Sequence, residues 1–145
     1  MCSKNANSTP QLLIKIAPYL WLISLCLPAL HYDNEIYFGY ETLVLGIIFG
    51  WLGLIFQAYS NITFLFSIYM INRQKNPIKL AAFTFILGFS SLFITQIVAT
   101  GDKGVYDSDI ELKLWGAGIW ICSYLALLLG TVWNYIIDRG IIEKS

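Results

Sequence analysis

Four long runs without charged residues dominate the sequence. They cover residues 16–32, 42–72, 80–101 and 114–137, and the charges cluster between them. Each run is close to or above the roughly 17 to 25 apolar residues that a tilted helix needs to cross the hydrocarbon of a bilayer. The runs lack the alternation of polar and apolar positions that marks the strands of a membrane barrel. Because lipid offers the backbone no hydrogen-bond partners, the pattern predicts transmembrane helices.

We therefore predict an all-α, polytopic membrane protein: a four-transmembrane-helix bundle that forms a single membrane domain over residues 1–145. The approximate spans are 12–31, 43–71, 78–100 and 112–137. The composition agrees with this class, because 57% of the residues are hydrophobic and 12% are charged, whereas about a quarter are charged in a typical soluble domain.

The second run is too long for one crossing and too short for two. Its 31 residues correspond to a helix of about 46 Å, while two spans need about 40 residues. The polar side chains of Gln57 to Asn61 interrupt the apolar sequence. Two alternatives remain open: one long tilted helix, or a crossing that is broken near these residues.

Two local signals predict where helices begin. Asn76 before Pro77 is typical of a helix start, since Asn caps the free N–H groups and Pro lacks one of them. Ser108 with Glu111 three residues later predicts a capping box for the fourth helix, in which each side chain bonds to the other residue's backbone N–H.

The positive charges predict that both termini lie in the cytoplasm. With this orientation seven of the nine cations are inside, as the positive-inside rule expects. The acids collect on the other side, where Asp107, Asp109 and Glu111 fall in one external segment. We expect this segment to be a solvated acidic loop whose charge attracts a cationic partner. The inside cations are Lys4, Lys15, Arg73, Lys75, Lys79, Arg139 and Lys144.

Four amide side chains are candidates for an intramembrane polar site: Gln57, Asn61, Gln96 and Asn134. Amides within the hydrocarbon can line a pore or a small-molecule cavity, but they more often form hydrogen bonds between helices, each worth on the order of 1 kcal/mol. Gln57 and Asn61 lie one helical turn apart, so this pair is the first place to look for function.

Small residues recur on one face of the second and fourth predicted helices. In lipid, such faces let two backbones approach closely and promote helix packing. The packing can be internal to the bundle or between copies in a homo-oligomer. The residues are Gly46, Gly50 and Gly53 in the second helix and Gly116, Ser123 and Gly130 in the fourth.

The candidate chemistry does not indicate an enzyme. No Asp, Glu, Arg or His is predicted near the bilayer centre, although such residues mark proton relays and ion coupling. His31 is the only histidine, and the three cysteines form no C-x-x-C motif. We therefore predict no catalytic, cofactor-binding or metal-binding residues. The basic residues from Arg73 to Lys79 determine topology and do not indicate a nucleic-acid partner.

A short pattern in the second run carries a resemblance. Gly50-Trp51-Leu52-Gly53 followed by Ala58-Tyr59-Ser60-Asn61 resembles a pattern in small, uncharacterised four-helix proteins of bacterial inner membranes. The resemblance implies a multi-pass protein of the bacterial inner membrane and no particular activity. In size and number of spans, the chain also resembles the immunity proteins that protect bacteria from pore-forming toxins.

Two functional hypotheses follow. The first is a non-enzymatic integral membrane protein that binds a membrane or secreted protein in the bilayer or at its outer face, for toxin immunity or as an accessory subunit. The second is a small channel or carrier for a neutral solute, which the four amides line after oligomerisation. Leucine at Gln57 and Asn61 separates the two hypotheses, because a pore loses flux whereas a packing contact changes stability or assembly.

Overall fold

A computed structural model describes residues 9–32, 35–49, 56–93, 96–101, 104–112 and 114–139. The chain is mostly helical, as the predicted class requires, and it also contains one small antiparallel sheet. The helices are α1 (Thr9–Leu25), α2 (Gly39–Phe49), α3 (Ser60–Asn72), α4 (Ile78–Ser90) and α5 (Leu114–Asp138). The strands are β1 (Pro28–Tyr32), β2 (Glu35–Phe38), β3 (Gln96–Gly101) and β4 (Gly104–Leu112).

The longest helix, α5, has 25 residues and extends over about 37 Å. Among the residues that the structure describes, its stretch Trp115–Asp138 is the one helix long and apolar enough to cross a membrane by length and composition. α1 packs along α5 more extensively than any other pair of elements. α5 also packs on α4, so it is the described helix around which the bundle is arranged.

The second apolar run is broken, which is one of the two alternatives that the sequence leaves open. α2 ends at Phe49, a 3-10 turn covers Phe56–Tyr59, and α3 begins at Ser60. With 11 and 13 residues, α2 and α3 are about 16 and 20 Å long. Each is shorter than the roughly 30 Å of bilayer hydrocarbon.

The third apolar run changes from helix to strand. α4 begins at Ile78, whose backbone N–H donates to Asn76 Oδ1 at 3.0 Å. The helix ends at Ser90 and residues 96–101 form β3, so the predicted helix over 78–100 is wrong in its last part. Ile97 and Val98 are β-branched residues that suit a strand as well as an apolar helix, and pairing with β4 supplies their backbone hydrogen bonds.

The sheet joins the two connections that the sequence predicts on one side of the bilayer. Its strand order is β2-β1-β4-β3, and all neighbours are antiparallel. The central pair is β1 with β4, where His31 lies opposite Glu111. Ser108 and Glu111 both belong to β4, so the capping box predicted from them is wrong. The acidic segment predicted as a loop is this strand.

The sheet packs directly on the end of α5. A Cβ atom on Gly116 would overlap the carbonyl oxygen of Pro28 and lie 3.1 Å from the Cα atom of Ala29. Because backbone atoms cannot move aside as a flexible side chain can, only glycine permits this contact between α5 and β1. We call it the seam between the bundle and the sheet.

The described charges divide between the two ends of the bundle. The end opposite the sheet holds the turn between α3 and α4 and the last turn of α5, and its described cations are Arg73, Lys75, Lys79 and Arg139. Lys15 lies within α1, next to Ile14, whose backbone nitrogen lies beside Gly130 of α5. With the exception of Asp138, the described acids lie at the sheet end: Glu35, Glu41, Asp107, Asp109 and Glu111.

Candidate functional site

The amide of Asn61 is the centre of a buried polar network. Its Oδ1 atom accepts hydrogen bonds from Trp21 Nε1 at 2.7 Å, Trp120 Nε1 at 2.9 Å and the Tyr124 hydroxyl at 2.9 Å. Its Nδ2 atom donates to the carbonyl oxygen of Ala58 at 3.1 Å. The side chain is 5% exposed. One amide therefore connects the start of α3 to α1 and to α5, and the three donors fix which end of the amide is the oxygen.

The network continues through hydroxyl groups. Tyr124 gives its one hydroxyl hydrogen to Asn61, so the Ser60 hydroxyl donates across the 3.1 Å contact to the Tyr124 oxygen. Nearby, Thr84 Oγ1 donates to Thr63 Oγ1 at 2.8 Å and connects α4 to α3. The polar contacts thus link all of the long helices, in the manner expected for hydrogen bonds between helices in lipid.

Aromatic rings enclose the network. The ring centroid of Phe64 lies 5.9 Å from that of Trp21 and 5.0 Å from that of Tyr124, and the Trp120 and Tyr124 centroids are 5.1 Å apart. The Tyr124 ring lies against Gly88 of α4, where an added Cβ atom would be 2.5 Å from its carbons. The rings bury apolar area and keep the hydrogen bonds in a low-dielectric environment that strengthens them.

The chemistry of the network suits packing. Its members are an amide, two indoles, a phenol and an aliphatic hydroxyl, all neutral at physiological pH. Within the described ranges, no group of three or more His, Cys, Asp or Glu residues could hold a metal ion. The arrangement holds helices in register and presents no activated nucleophile or proton-transfer pair.

The other predicted polar residues lie elsewhere. Gln57 is in the 3-10 turn that precedes α3, and Gln96 belongs to β3 at the sheet instead of to a helix. Asn134 is half-buried in α5, ten residues after Tyr124, and is therefore about 15 Å further along the helix axis. Asn61 and Asn134 do not meet, and Asn61 has aromatic donors as its partners.

The predicted packing residues that the structure describes make contacts within the chain. An added Cβ atom on Gly46 would lie 2.5 Å from Ala58 Cβ, and one on Gly130 would lie 2.9 Å from the carbonyl oxygen of Pro10 in α1. Gly116 forms the seam, and Ser123 is fully buried and donates to the carbonyl oxygen of Trp120 at 2.6 Å. Gly50 and Gly53 lie outside the described residues.

Sequence reasoning missed the three donors to Asn61. A signal was present, because Trp21, Trp120 and Tyr124 lie inside apolar runs and not at their boundaries. Tryptophan and tyrosine carry a polar group that needs a partner when it is buried. Trp120 and Tyr124 are also four residues apart, which puts them on one face of a helix.

A second candidate surface is the acidic face of the sheet. Asp107, Asp109 and Glu111 occupy alternate positions of β4 and therefore one face. Successive members are about 6.8 Å apart along the strand. The register puts Val98 of β3 opposite Asp107 and His31 of β1 opposite Glu111, on the same face. The strand thus places three acidic residues at alternate backbone positions.

A third feature is an open groove of about 300 Å³ at the start of α2, lined by Tyr37, Tyr40, Glu41, Val44 and Leu45. Glu41 accepts a hydrogen bond from the Phe38 backbone N–H at 2.9 Å and another from the Tyr40 hydroxyl at 3.1 Å.

Comparison of the chain with protein-family models, with curated proteins and with solved structures finds no match. The function is therefore argued from the residues and contacts described above.

Proposed function

We propose that the chain is a four-span membrane protein with the sheet outside the cytoplasm. The four crossings are α1, the broken pair α2 and α3, α4 with its 3-10 extension, and α5. The length and apolarity of α5 and the division of charges between the two ends support this topology. Outward-facing apolar side chains, such as Leu22, Ile62 and Ile86, are about half-exposed and suit contact with lipid.

We further propose that the protein is non-enzymatic and binds a protein partner through the sheet. The observation that carries this proposal is the joint sheet β2-β1-β4-β3, which both external connections build together and whose central strand bears the acidic row. Two flexible connections have no need to pair with each other. An ordered, charged surface favours a partner with a complementary cationic surface, because such charges steer association and select the partner.

The surroundings of Asn61 favour this function over a channel or carrier. A pathway for a neutral solute needs polar groups that face the pathway, whereas the Asn61 oxygen already accepts three hydrogen bonds and its amide nitrogen donates one. Replacing this network by a solute would leave the indole and phenol donors without partners, at about 1 to 3 kcal/mol each.

The proposed partner is a membrane or secreted protein. The proposal has two concrete forms: immunity against a secreted toxin, and an accessory role in a membrane complex. The resemblance implies that the protein lies in a bacterial inner membrane. Both forms need a surface on the outer side and a bundle that holds it rigidly.

The partner proposal is tested by purifying the tagged protein from its native membrane in mild detergent and identifying proteins that come with it by mass spectrometry. We expect one stoichiometric partner. The variant Asp107→Asn/Asp109→Asn/Glu111→Gln removes the charges while keeping side-chain size, and should lose that partner. The control is Ser108→Ala/Ile110→Val, on the other face of the same strand. Recovery of a homo-oligomer alone contradicts the proposal.

The topology is tested separately by cysteine labelling in intact cells. Cys2, Cys26 and Cys122 are first replaced by serine, and single cysteines are introduced at Glu35 in the sheet and at Gln74 in the turn between α3 and α4. A membrane-impermeant maleimide should label position 35 in intact cells and position 74 only after permeabilisation. Labelling of both positions from outside would mean an even number of crossings between them, and so contradicts the single crossing by α2 and α3 and the proposed orientation of the bundle.

A further inference from the structure

The groove at the start of α2 combines one fixed negative charge with aromatic rings and an apolar strip. Glu41, Val44, Leu45 and Ile48 follow the spacing i, i+3, i+4, i+7 and lie on one helix face. Val44 is 51% exposed, Leu45 43% and Ile48 52%. The lining residues include no cation. The face therefore passes from a carboxylate at the sheet end to aliphatic side chains toward the bundle.

Glu41 also has a role within the chain. Its bond to the Phe38 backbone N–H is the returning half of a capping box at the start of α2. That bond occupies Oε2, and the bond from Tyr40 occupies one position on Oε1. Both hydrogen bonds go to a carboxylate that remains negatively charged, so capping leaves the charge of Glu41 available to a cationic ligand.

The rings beside Glu41 are held in place. The ring centroids of Phe38 and Tyr40 are 6.1 Å apart in a stacked arrangement, and the hydroxyl of Tyr40 is bonded to Glu41. Ring faces attract ammonium groups, most strongly where water is partly excluded. The Tyr37 hydroxyl donates to Glu35 Oε2 at 3.3 Å. A groove that is lined by the Glu41 carboxylate, two tyrosines and an apolar strip is thus complementary to an amphiphile with a cationic headgroup.

We propose that this groove binds a lipid of the outer leaflet through a quaternary ammonium headgroup. The ammonium lies against Glu41 and the rings of Tyr37 and Tyr40, and the acyl chain follows Val44, Leu45 and Ile48. The proposal rests on the proposed insertion of the bundle in a bilayer, but it does not depend on a protein partner. Lipids with an anionic headgroup are disfavoured, because Glu41 repels them and the described lining residues contain no cation that compensates.

The test uses the full chain in nanodiscs made from equal amounts of dioleoyl phosphatidylcholine and dioleoyl phosphatidylglycerol. These lipids share acyl chains and differ in the headgroup. Native mass spectrometry then measures which lipid stays bound. We expect the wild-type protein to retain phosphatidylcholine over phosphatidylglycerol by about fivefold, which corresponds to one favourable cation–π and charge contact. Replacing the phosphatidylcholine by dioleoyl trimethylammonium-propane, which has no phosphate, should increase the ratio.

Variants of the groove residues test whether the preference for phosphatidylcholine arises in the groove. Glu41→Gln should bring the ratio close to one while the helix start is kept, since glutamine also serves at this position of a capping box. Tyr40→Leu should lower the ratio, whereas Tyr40→Phe, which retains the ring, should keep most of it. The matched control is Glu35→Gln, which removes a neighbouring exposed charge that is not part of the groove lining. Glutamine keeps a side-chain oxygen that can accept the hydrogen bond of the Tyr37 hydroxyl, so the ratio should stay unchanged.

The outcomes are distinct. Equal retention of the two lipids by the wild-type protein, or an unchanged ratio in Glu41→Gln, overturns the groove proposal. An equal loss in Glu41→Gln and Glu35→Gln also overturns it, because the net charge of the sheet end then explains the preference. A chain that does not enter nanodiscs contradicts the membrane proposal itself, which is a different failure.

Discussion

The buried network around Asn61 and the acidic strand β4 contrast in how their polar groups are paired. Inside the bundle, every polar group of the Asn61 side chain is bonded to another part of the chain. At the sheet, β4 carries three acidic residues at alternate positions of its backbone, and like charges at such spacing are unfavourable. The interior arrangement lowers the energy of the fold, whereas the exterior row does not.

This difference indicates which of the two regions serves stability and which is the better candidate for binding a partner. Groups that satisfy each other explain stability and need no ligand. A row of like charges on an ordered strand has an unfavourable self-energy that a cationic partner relieves. The comparison can be tested by variants on both sides, which should change stability strongly in the interior and hardly at the sheet face.

The largest effect is expected for Asn61→Leu. The change removes the acceptor of three buried donors, and from the cost of unsatisfied donors in proteins and in lipid we expect a loss of about 2 to 4 kcal/mol in the free energy of unfolding. Unfolding by dodecyl sulfate in mixed micelles, followed by tryptophan fluorescence, measures it. Asn134→Leu is the control and should be neutral or stabilising. Equal losses in both variants would show that the network has no special role.

The next effect is expected at the seam, for Gly116→Ala. The added methyl group overlaps the Pro28 carbonyl, so the backbone must shift, and we expect a loss of about 1 to 3 kcal/mol. Gly118→Ala, two residues further along α5, has open space around the new methyl group. This control should be neutral or more stable by up to about 1 kcal/mol, because alanine favours a helix. The same micelle assay compares them, and indistinguishable variants refute the seam.

A smaller effect is expected for Tyr124→Phe. It removes one of the three donors to Asn61 and the acceptor of the Ser60 hydroxyl, and should cost about 1 kcal/mol. A double-mutant cycle with Ser60→Ala should give a coupling of a few tenths of a kcal/mol or more. Tyr69→Phe, on the exposed side of α3, should change nothing. Strict additivity in the cycle would argue against the hydroxyl chain.

The smallest change in stability is expected for the acidic face. The variant Asp107→Asn/Asp109→Asn/Glu111→Gln should unfold within about 0.5 kcal/mol of the wild-type protein, as is usual for surface substitutions, or become slightly more stable as the repulsion is removed. Its effect should appear in the recovery of the partner. A large loss of stability instead would show that the acids support the sheet, and the contrast between interior and exterior would disappear.

The sequence predicts a helix correctly where hydropathy alone determines its position. The fourth run predicts helix over 112–137, and α5 covers Leu114–Asp138. Hydropathy does not distinguish an apolar helix from an apolar strand, however, so the end of the third run was predicted as helix although residues 96–101 form β3. In β4 the period of two was visible in Asp107, Asp109 and Glu111, but charges outside an apolar run indicated a loop.

Of the buried network, only the central residue, Asn61, could be predicted from the sequence. Asn61 was a candidate because an amide in an apolar run needs partners. Its partners Trp21 and Trp120 lie 40 and 59 residues away along the chain, and no local pattern encodes which side chains from other helices will meet it. The remaining amides were grouped with Asn61 by residue type, whereas the packing of α5 separates Asn134 from it.

The pairing of the chain's beginning with its end has a consequence for biosynthesis. β1 pairs with β4, α1 packs on α5, and two of the three donors to Asn61 belong to α5. α5 is synthesised after α1 to α4, so these helices are complete before their contacts with α5 can form. A nascent chain that stops before residue 114 lacks two of the three donors to Asn61, and the cell's quality control can distinguish it from the finished protein by that open interior.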